Sequence, residues 1–464
     1  MNHGAAAGTT FRKASTLWRC FRAWILALRR PRLTAALLIS CLGTVQSGSS
    51  AAEIYVAGPD NYLELLKRLT PGDHLRLKPG VYAGGLPLRG ITGAADTPII
   101  IEGPLNGAVA VFRARPGANT INLADSSHLI VKDLILDGDN LPVDAIVTER
   151  HSSLVHHITL ERLTIIGHGH DQSIVAIGTR CTTAFWTIRG NTIIGAGTGM
   201  YLGGSDGSAP FVAGVIEGNV ILNTIGYNVE IKHQRQRPSL PQLPQAPQST
   251  AIRGNFFSKS LNASQGERAR PNLLMGHLPL VGAGSEDKYE VTHNVFYDNP
   301  AEVLLQGEGN LLISDNVFIN LAGSAIAIRP HNDLPRQIEI SRNFIAATLV
   351  GVSVAGGDPG YKQLVESNSI FAKDPAVGGS QLRNVTGSFA EASDEIGKWF
   401  ALEGKPKSND RLNWTDRLER MATKVCAIPS FLAVEKEFAP AGPKDRNCQF
   451  LETLFREAKA HTDN

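Results

Sequence analysis

Short runs in which apolar and polar residues alternate recur along most of the chain, separated by small or polar turn residues. Alternation with period two marks strands with one buried face. The pattern is plainest over Tyr289–Gly357, where YEVTHNVFYDNPAEVLLQGEGN, NLLISDNVFINLAGSAIAIRPHN and QIEISRNFIAATLVGVSVAGG are versions of one unit. Each unit has a strand, an Asn (Asn294, Asn316, Asn343) and an apolar pair containing Phe (Phe296, Phe318, Phe344). A small-residue turn and a second strand close it. The asparagines are 22 and 27 residues apart, a period that belongs to a stacked solenoid. No unit buries its apolar face alone, so neighbouring units supply the core.

The same phase continues through Asn191, Asn219, Asn255 and Asn368. Asparagine tolerates left-handed backbone angles, and its amide bonds to identical amides one coil above and below. Strand-only repeats of this length predict an all-β chain, a right-handed parallel β-helix with coils about 4.8 Å apart. Asp60 is the expected N-cap of a helix through Leu63, Leu65, Leu66 and Leu69, placed to cover the open end of the first coil. HLRLKPGVY and PIIIEGP follow as strands. Gln234–Thr250 and Ser260–Asn272 are polar and Pro-interrupted, so they loop out of successive coils. Beyond about Val385 the strand pattern stops, and Asp410–Ala422 and Asn447–Ala460 read as helices. The predicted organisation is a leader over 1–52, a β-helix over 53–385 and a helical C-terminal cap or tail over 386–464.

Aligning the second strand of each coil by its alternation places Leu202, Ile231, Met275, Leu305, Ile328 and Val354 inward. The outward exit of the same strand then carries Gly203, Lys232, Gly276 with His277, Gln306, Arg329 and Ala355. The middle coils therefore gather Lys232, His277, Gln306, Glu308, Arg329 and His331, while the flanking coils offer Gly and Ala. Three coil steps from Lys232 to Arg329 span roughly 14 Å, the scale of a groove for a few sugar units. Both polar excursions leave the chain beside this patch and are placed to wall it, with Arg270 in the second. Glu230 is read as pointing away from Lys232. His156, His157, His168, His170 and Asp171 form a His-rich stretch, read as turn residues because spacing fixes no carboxylate partner among them.

A formal net charge of +2, with no basic run outside the leader, excludes a dedicated nucleic-acid surface. The leader has Arg29, Arg30 and Arg32 before the apolar run Leu33–Leu42, with small residues at Ser47–Ala52. That is the form of an export signal, which leads to the periplasm or the exterior. Its apolar run is too short for a transmembrane span. Leu38-Ile39-Ser40-Cys41 also has lipobox form, making Cys41 a candidate lipid anchor. Of the remaining cysteines, Cys181 is expected as a small buried hydrophobe, and Cys426 and Cys448 are placed to pair in an oxidising compartment. A monomer is expected.

Pro71–Pro104 and the pair AEVLLQGEGN and AIAIRPHN resemble polysaccharide lyases of the chondroitinase-B and alginate-lyase type, within the pectate-lyase-like β-helices. The resemblance implies an acidic polysaccharide as partner, Ca²⁺ as cofactor, Glu302 as its ligand and Arg329 as the catalytic arginine. It also exposes departures. The family's Lys base falls on Gly307, beside Gln306 and Glu308, and the partner carboxylate of the metal site falls on Pro300. Elimination from a uronate requires its carboxylate neutralised and a base for the C5 proton. Arg329 suits the first task, and Lys232, His277 or His331 stands in for the second. β-Elimination and C5-epimerisation both remain open, as does a non-catalytic glycan-binding β-helix that lacks the base. Hydrolysis is disfavoured, because Glu308 has no paired carboxylate.

Overall fold

The structure, a computed structural model, describes residues 52–392 except Asn106, Gly107, Asn332, Asp333 and Pro359. The leader with Cys41, the C-terminal helices and Cys426 and Cys448 lie outside the described residues. Among the described residues each named strand pairs in parallel with the strand one coil away, as in Leu160↔Ile188 and Ile188↔Ile216. The chain is a parallel β-helix. One face is a 15-stranded sheet running from Ile54–Ala57 to Ser380–Leu382. The other two faces are parallel columns that fuse into one sheet because Phe344–Val354 is a single strand of 11 residues serving both.

The inward positions of the first face stack aliphatic on aliphatic: Leu75, Ile101, Val131, Leu160, Ile188 and Ile216, each wholly buried. On a neighbouring face Phe257, Phe296 and Phe318 follow one another, with ring centroids 4.9 and 4.6 Å apart. Phe344 breaks this series, because Ile345 pairs with Phe318 and Phe344 pairs with Val317. It packs outside the barrel, 5.6 Å from Phe371.

The asparagines form the predicted ladder, extended by Asn384. Each Nδ2 donates to the next Oδ1 at 2.9–3.0 Å from Asn191 through Asn384. The same Oδ1 also accepts the backbone N–H of the preceding asparagine, as Asn316 does for Asn294. The left-handed residue is not the asparagine but the one before it: Gly190, Gly218, Gly254, His293, Asp315, Arg342, Ser367 and Arg383 all have φ between 54° and 62°. The turn is made one residue early, and the asparagine amide is aimed into it, as Asn294 Nδ2 donates to the Thr292 carbonyl.

The N-terminal helix is shorter than expected, Tyr62–Leu66, and Asp60 does not cap it. Asn61 precedes it, and its Oδ1 accepts the Gly58 N–H at 2.8 Å. The helix still closes the first coil, since Tyr62 packs edge-on to Tyr82 at 5.0 Å and donates to the Gly85 carbonyl at 2.7 Å. Many outward charges pair between coils. Arg162 grips Asp133 at 2.8 and 2.7 Å, and Arg342 grips Asp315 at 2.9 and 2.8 Å. No described helix is long and apolar enough to cross a membrane.

Replacing Asn294 by alanine strands the Asn255 backbone N–H in a dry turn and removes two amide bonds. The expected loss is about 2–4 kcal/mol in urea-induced unfolding. A loss below about 0.5 kcal/mol, the level of an ordinary surface substitution, would show that the ladder is not a source of stability.

Candidate functional site

The site face is built from the strands Thr198–Leu202, Val229–Ile231, Leu273–Met275, Leu305–Gly307 and Ile326–Ile328. The expected register holds for Leu202, Ile231, Met275, Ile328 and Val354, and slips by two residues only in the coil of Leu305. Met275 pairs with Gly307, not Leu305, and Gly307 pairs with Ile328. Alternation cannot detect a two-residue slip, because every side chain keeps its face. Gly307 takes the inward place, where a Cβ would come within 2.5 Å of Leu311 Cδ1. Gln306 consequently lies beside Leu274 and Ala327, in the mid-strand column rather than at the exit. Glu308 takes the exit place and is buried at 2 % exposure.

Glu230 points to the same side as Lys232, contrary to expectation. Residues two apart in a strand share a face, and Lys232 Nζ donates to Glu230 Oε1 at 2.7 Å. Tyr201, one coil earlier, pairs with Glu230 in the ladder, and the Lys232 ammonium sits 5.4 Å from its ring centroid. The coil expected to be blank thus supplies an aromatic floor. Burial alone would lower Lys232, but the Glu230 carboxylate and the Tyr201 hydroxyl outweigh it and hold the ammonium above the usual lysine range. Burial pushes the Glu230 carboxyl up, against the pull of Lys232 and Arg270. Burial likewise raises the Tyr201 phenol, with Lys232 opposing.

Arg270, from the second polar excursion, extends over the Tyr227 ring at 5.9 Å. Beneath it the buried Lys259 donates to the Arg270 carbonyl at 2.6 Å, and burial brings its ammonium down to about 7. Asn228, Asn272 and Asn299 form a second amide chain there at 2.9 and 3.1 Å. The first excursion goes elsewhere: Leu240 and Leu243 pack near Ala184, Val212 and Phe185, on another face. Arg329, half-exposed, donates to Gln306 Oε1 at 2.6 Å and lies 3.8 Å from Glu302 Oε1. His277 stacks on His233 at 5.4 Å, with its Nδ1 3.8 Å from Glu308 Oε2. His331 is exposed two residues past Arg329.

Glu302 does not make a Ca²⁺ site with the residues at hand. Its Oε1 accepts the Val303 N–H at 3.0 Å and faces a guanidinium, and Pro300 stands where a second carboxylate is needed. Calcium takes six to eight oxygens. His168 and His170 do not join a metal cluster either. His168 is buried with Nδ1 2.9 Å from the Val143 carbonyl, and His170 faces Asp171 at 3.2 Å.

No family model and no curated protein sequence matches the chain. Among solved structures it is similar to an alginate lyase from Paenibacillus, at 14% identity over 72% of this chain and 99% of that one, TM-score 0.45. The A-module of the mannuronan C-5 epimerase AlgE4 of Azotobacter vinelandii matches at 14% identity over 68% of this chain and 91% of that one, TM-score 0.42. The catalytic unit of a Streptomyces thermodiastaticus α-1,3-glucanase matches at 12% identity over 73% and 69%, TM-score 0.46. The likeness is one of fold.

Removing the Lys232 charge leaves Glu230 buried without its partner. In Lys232→Met the Glu230 carboxyl should rise further above its unfolded value, so the folded state binds the extra proton. That variant should gain stability as pH falls from neutral toward mildly acidic, relative to the native chain. Urea midpoints across that range measure it, and adding Glu230→Gln should flatten the difference. A flat profile in Lys232→Met itself would mean that the ion pair does not govern Glu230.

Proposed function

We propose that this face is a groove for an acidic, uronate-bearing polysaccharide, acted on by removal of the proton next to the carboxylate. The observation that carries the reading is the Tyr201–Lys232–Glu230 arrangement, a fixed ammonium beside a phenol on an open face. Proton abstraction at C5 needs the adjacent carboxylate neutralised. Lys232, kept charged by Glu230, does this, and Arg329 and Arg270 hold neighbouring sugars by their carboxylates. Tyr201 is the group next to Lys232 that carries a proton. As phenolate it takes the C5 proton. Returned to the departing O4, the proton completes β-elimination; delivery of a proton to the opposite face of C5, from a second acid, completes epimerisation. His277 and His331 are the alternative bases. On the evidence of the leader, the chain works outside the cytoplasm.

One observation favours a second reading. Lys232 is engaged with Glu230, and no residue replaces the lysine base at Gly307. A groove of this kind would bind acidic glycan without turnover.

The test incubates the protein with alginate, pectate, chondroitin and hyaluronan, with and without Ca²⁺, and follows the ultraviolet absorbance of an unsaturated uronate. Epimerisation is followed by NMR of the recovered polymer. Lys232→Ala should cost at least about a hundredfold in rate. Tyr201→Phe should remove turnover while leaving glycan affinity within a few-fold. The rate should climb as pH rises above neutral, because burial holds the Tyr201 phenol protonated. Turnover that survives Tyr201→Phe would transfer the role of base to His277 or His331. Binding without turnover, lost in Arg329→Ala, would establish the second reading.

A further inference from the structure

Far from this groove, on the first sheet, His128, His156 and His157 come together from strands one coil apart, Ser127–Lys132 and Val155–Glu161. His128 and His157 both occupy the left-handed position of their coils, with φ of 53°, and Phe185 follows in the next coil at 58°. The three rings stack face to face, with centroids 4.4 and 4.6 Å apart. His156 stands edge-on to both histidines, at 5.4 and 5.0 Å. Its Nδ1 is 2.7 Å from His157 Nδ1. One nitrogen from each ring lies within 4.8 Å of the other two.

We propose that His128, His156 and His157 form a binding site for a divalent transition-metal ion of the zinc class. Zn–N bonds of about 2.0–2.1 Å in a tetrahedral site put ligand nitrogens about 3.4 Å apart. The His156–His157 Nδ1 separation of 2.7 Å is shorter than that value and the three rings keep one nitrogen each within 4.8 Å, so rotation of the rings is what would bring the set to ligand spacing. The chemistry of the cluster suits a cation. Three imidazoles without a carboxylate select zinc, nickel or copper over calcium or magnesium. A pocket of about 290 Å³ opens beside His156, lined also by Asp125, Ser126, Ser153, Leu240 and Gln242. It leaves the fourth coordination position to water or an incoming ligand.

A purely structural stack makes a different prediction, and His157→Phe separates the two. Phe185 already holds the equivalent place one coil on, so the variant keeps the stack and loses a ligand. Untagged full-length protein, stripped of metal, is titrated with Zn²⁺ by calorimetry and with Co²⁺ by visible spectroscopy. The expected result is one equivalent bound, with Co²⁺ bands of imidazole ligation. Affinity should fall at least about tenfold in His157→Phe and in His156→Ala, with the metal-free melting temperature of His157→Phe unchanged. Absence of binding by the native protein would overturn the proposal. So would binding that survives His157→Phe, which would place the ion elsewhere.

Discussion

Everything in this molecule depends on how the buried turn of each coil satisfies its backbone. A solenoid coil bends sharply at its corners, and a buried peptide N–H there has no strand partner. The asparagine ladder solves this in the same way seven times, with one amide oxygen accepting both a backbone N–H and the amide of the previous coil. Such a bond exists only when two coils are stacked in register. The ladder therefore couples local turn geometry to global alignment. Outward side chains on successive coils inherit a fixed spacing of about 4.8 Å. The groove and the histidine cluster are both consequences of that spacing.

Outward positions are used in two ways. On the first sheet, charges are neutralised coil to coil by bidentate pairs such as Asp133–Arg162, where each coil's charge answers its neighbour's. On the groove face the pairing of Lys232 is internal to its own strand segment, with Glu230. Arg329 donates to a neutral amide, Gln306, with the Glu302 carboxylate farther off at 3.8 Å. The first pattern leaves little field to recruit a ligand, while the second leaves guanidinium and ammonium groups directed at an open surface. Position in the solenoid does not decide this. Which column the acidic residue occupies does.

The period of the asparagines was enough to read the fold, because a 22- to 27-residue strand-only unit has few ways to bury its apolar face. The site was less legible, for identifiable physical reasons. Alternation fixes which face a residue takes but not its place along the strand, so Leu305 and Gln306 were assigned two residues out of register, and Gly307 holds the inward place. The same rule, applied one step back from Lys232, would have brought in Glu230 and Tyr201, both outward at mid-strand. The turn asparagines were recognised, yet the left-handed residue before each varies from glycine to arginine and carries no compositional mark. His128 lies 28 residues from His156, one coil in space, and nothing local to either announces the other.

The fixed charge of Lys232 bears directly on how the groove would act. A lysine serves as a base only when its ammonium is destabilised, which burial achieves for Lys259 and Glu230 prevents for Lys232. Evolution of a lyase from this scaffold therefore cannot rest on the same lysine both neutralising the carboxylate and removing the proton. The two tasks have to be divided. Tyr201 is suited to the second because its pull toward the neutral phenol comes from burial, while the adjacent ammonium favours the phenolate. Substrate binding would add a carboxylate to the same ammonium and weaken its hold on the phenolate, so Lys232 cannot also hold the carboxylates of the neighbouring sugars. The cost of dividing the tasks is thus a requirement for at least two cations in the groove. Arg329 lies at its far end, three coils from Lys232, as that requirement demands.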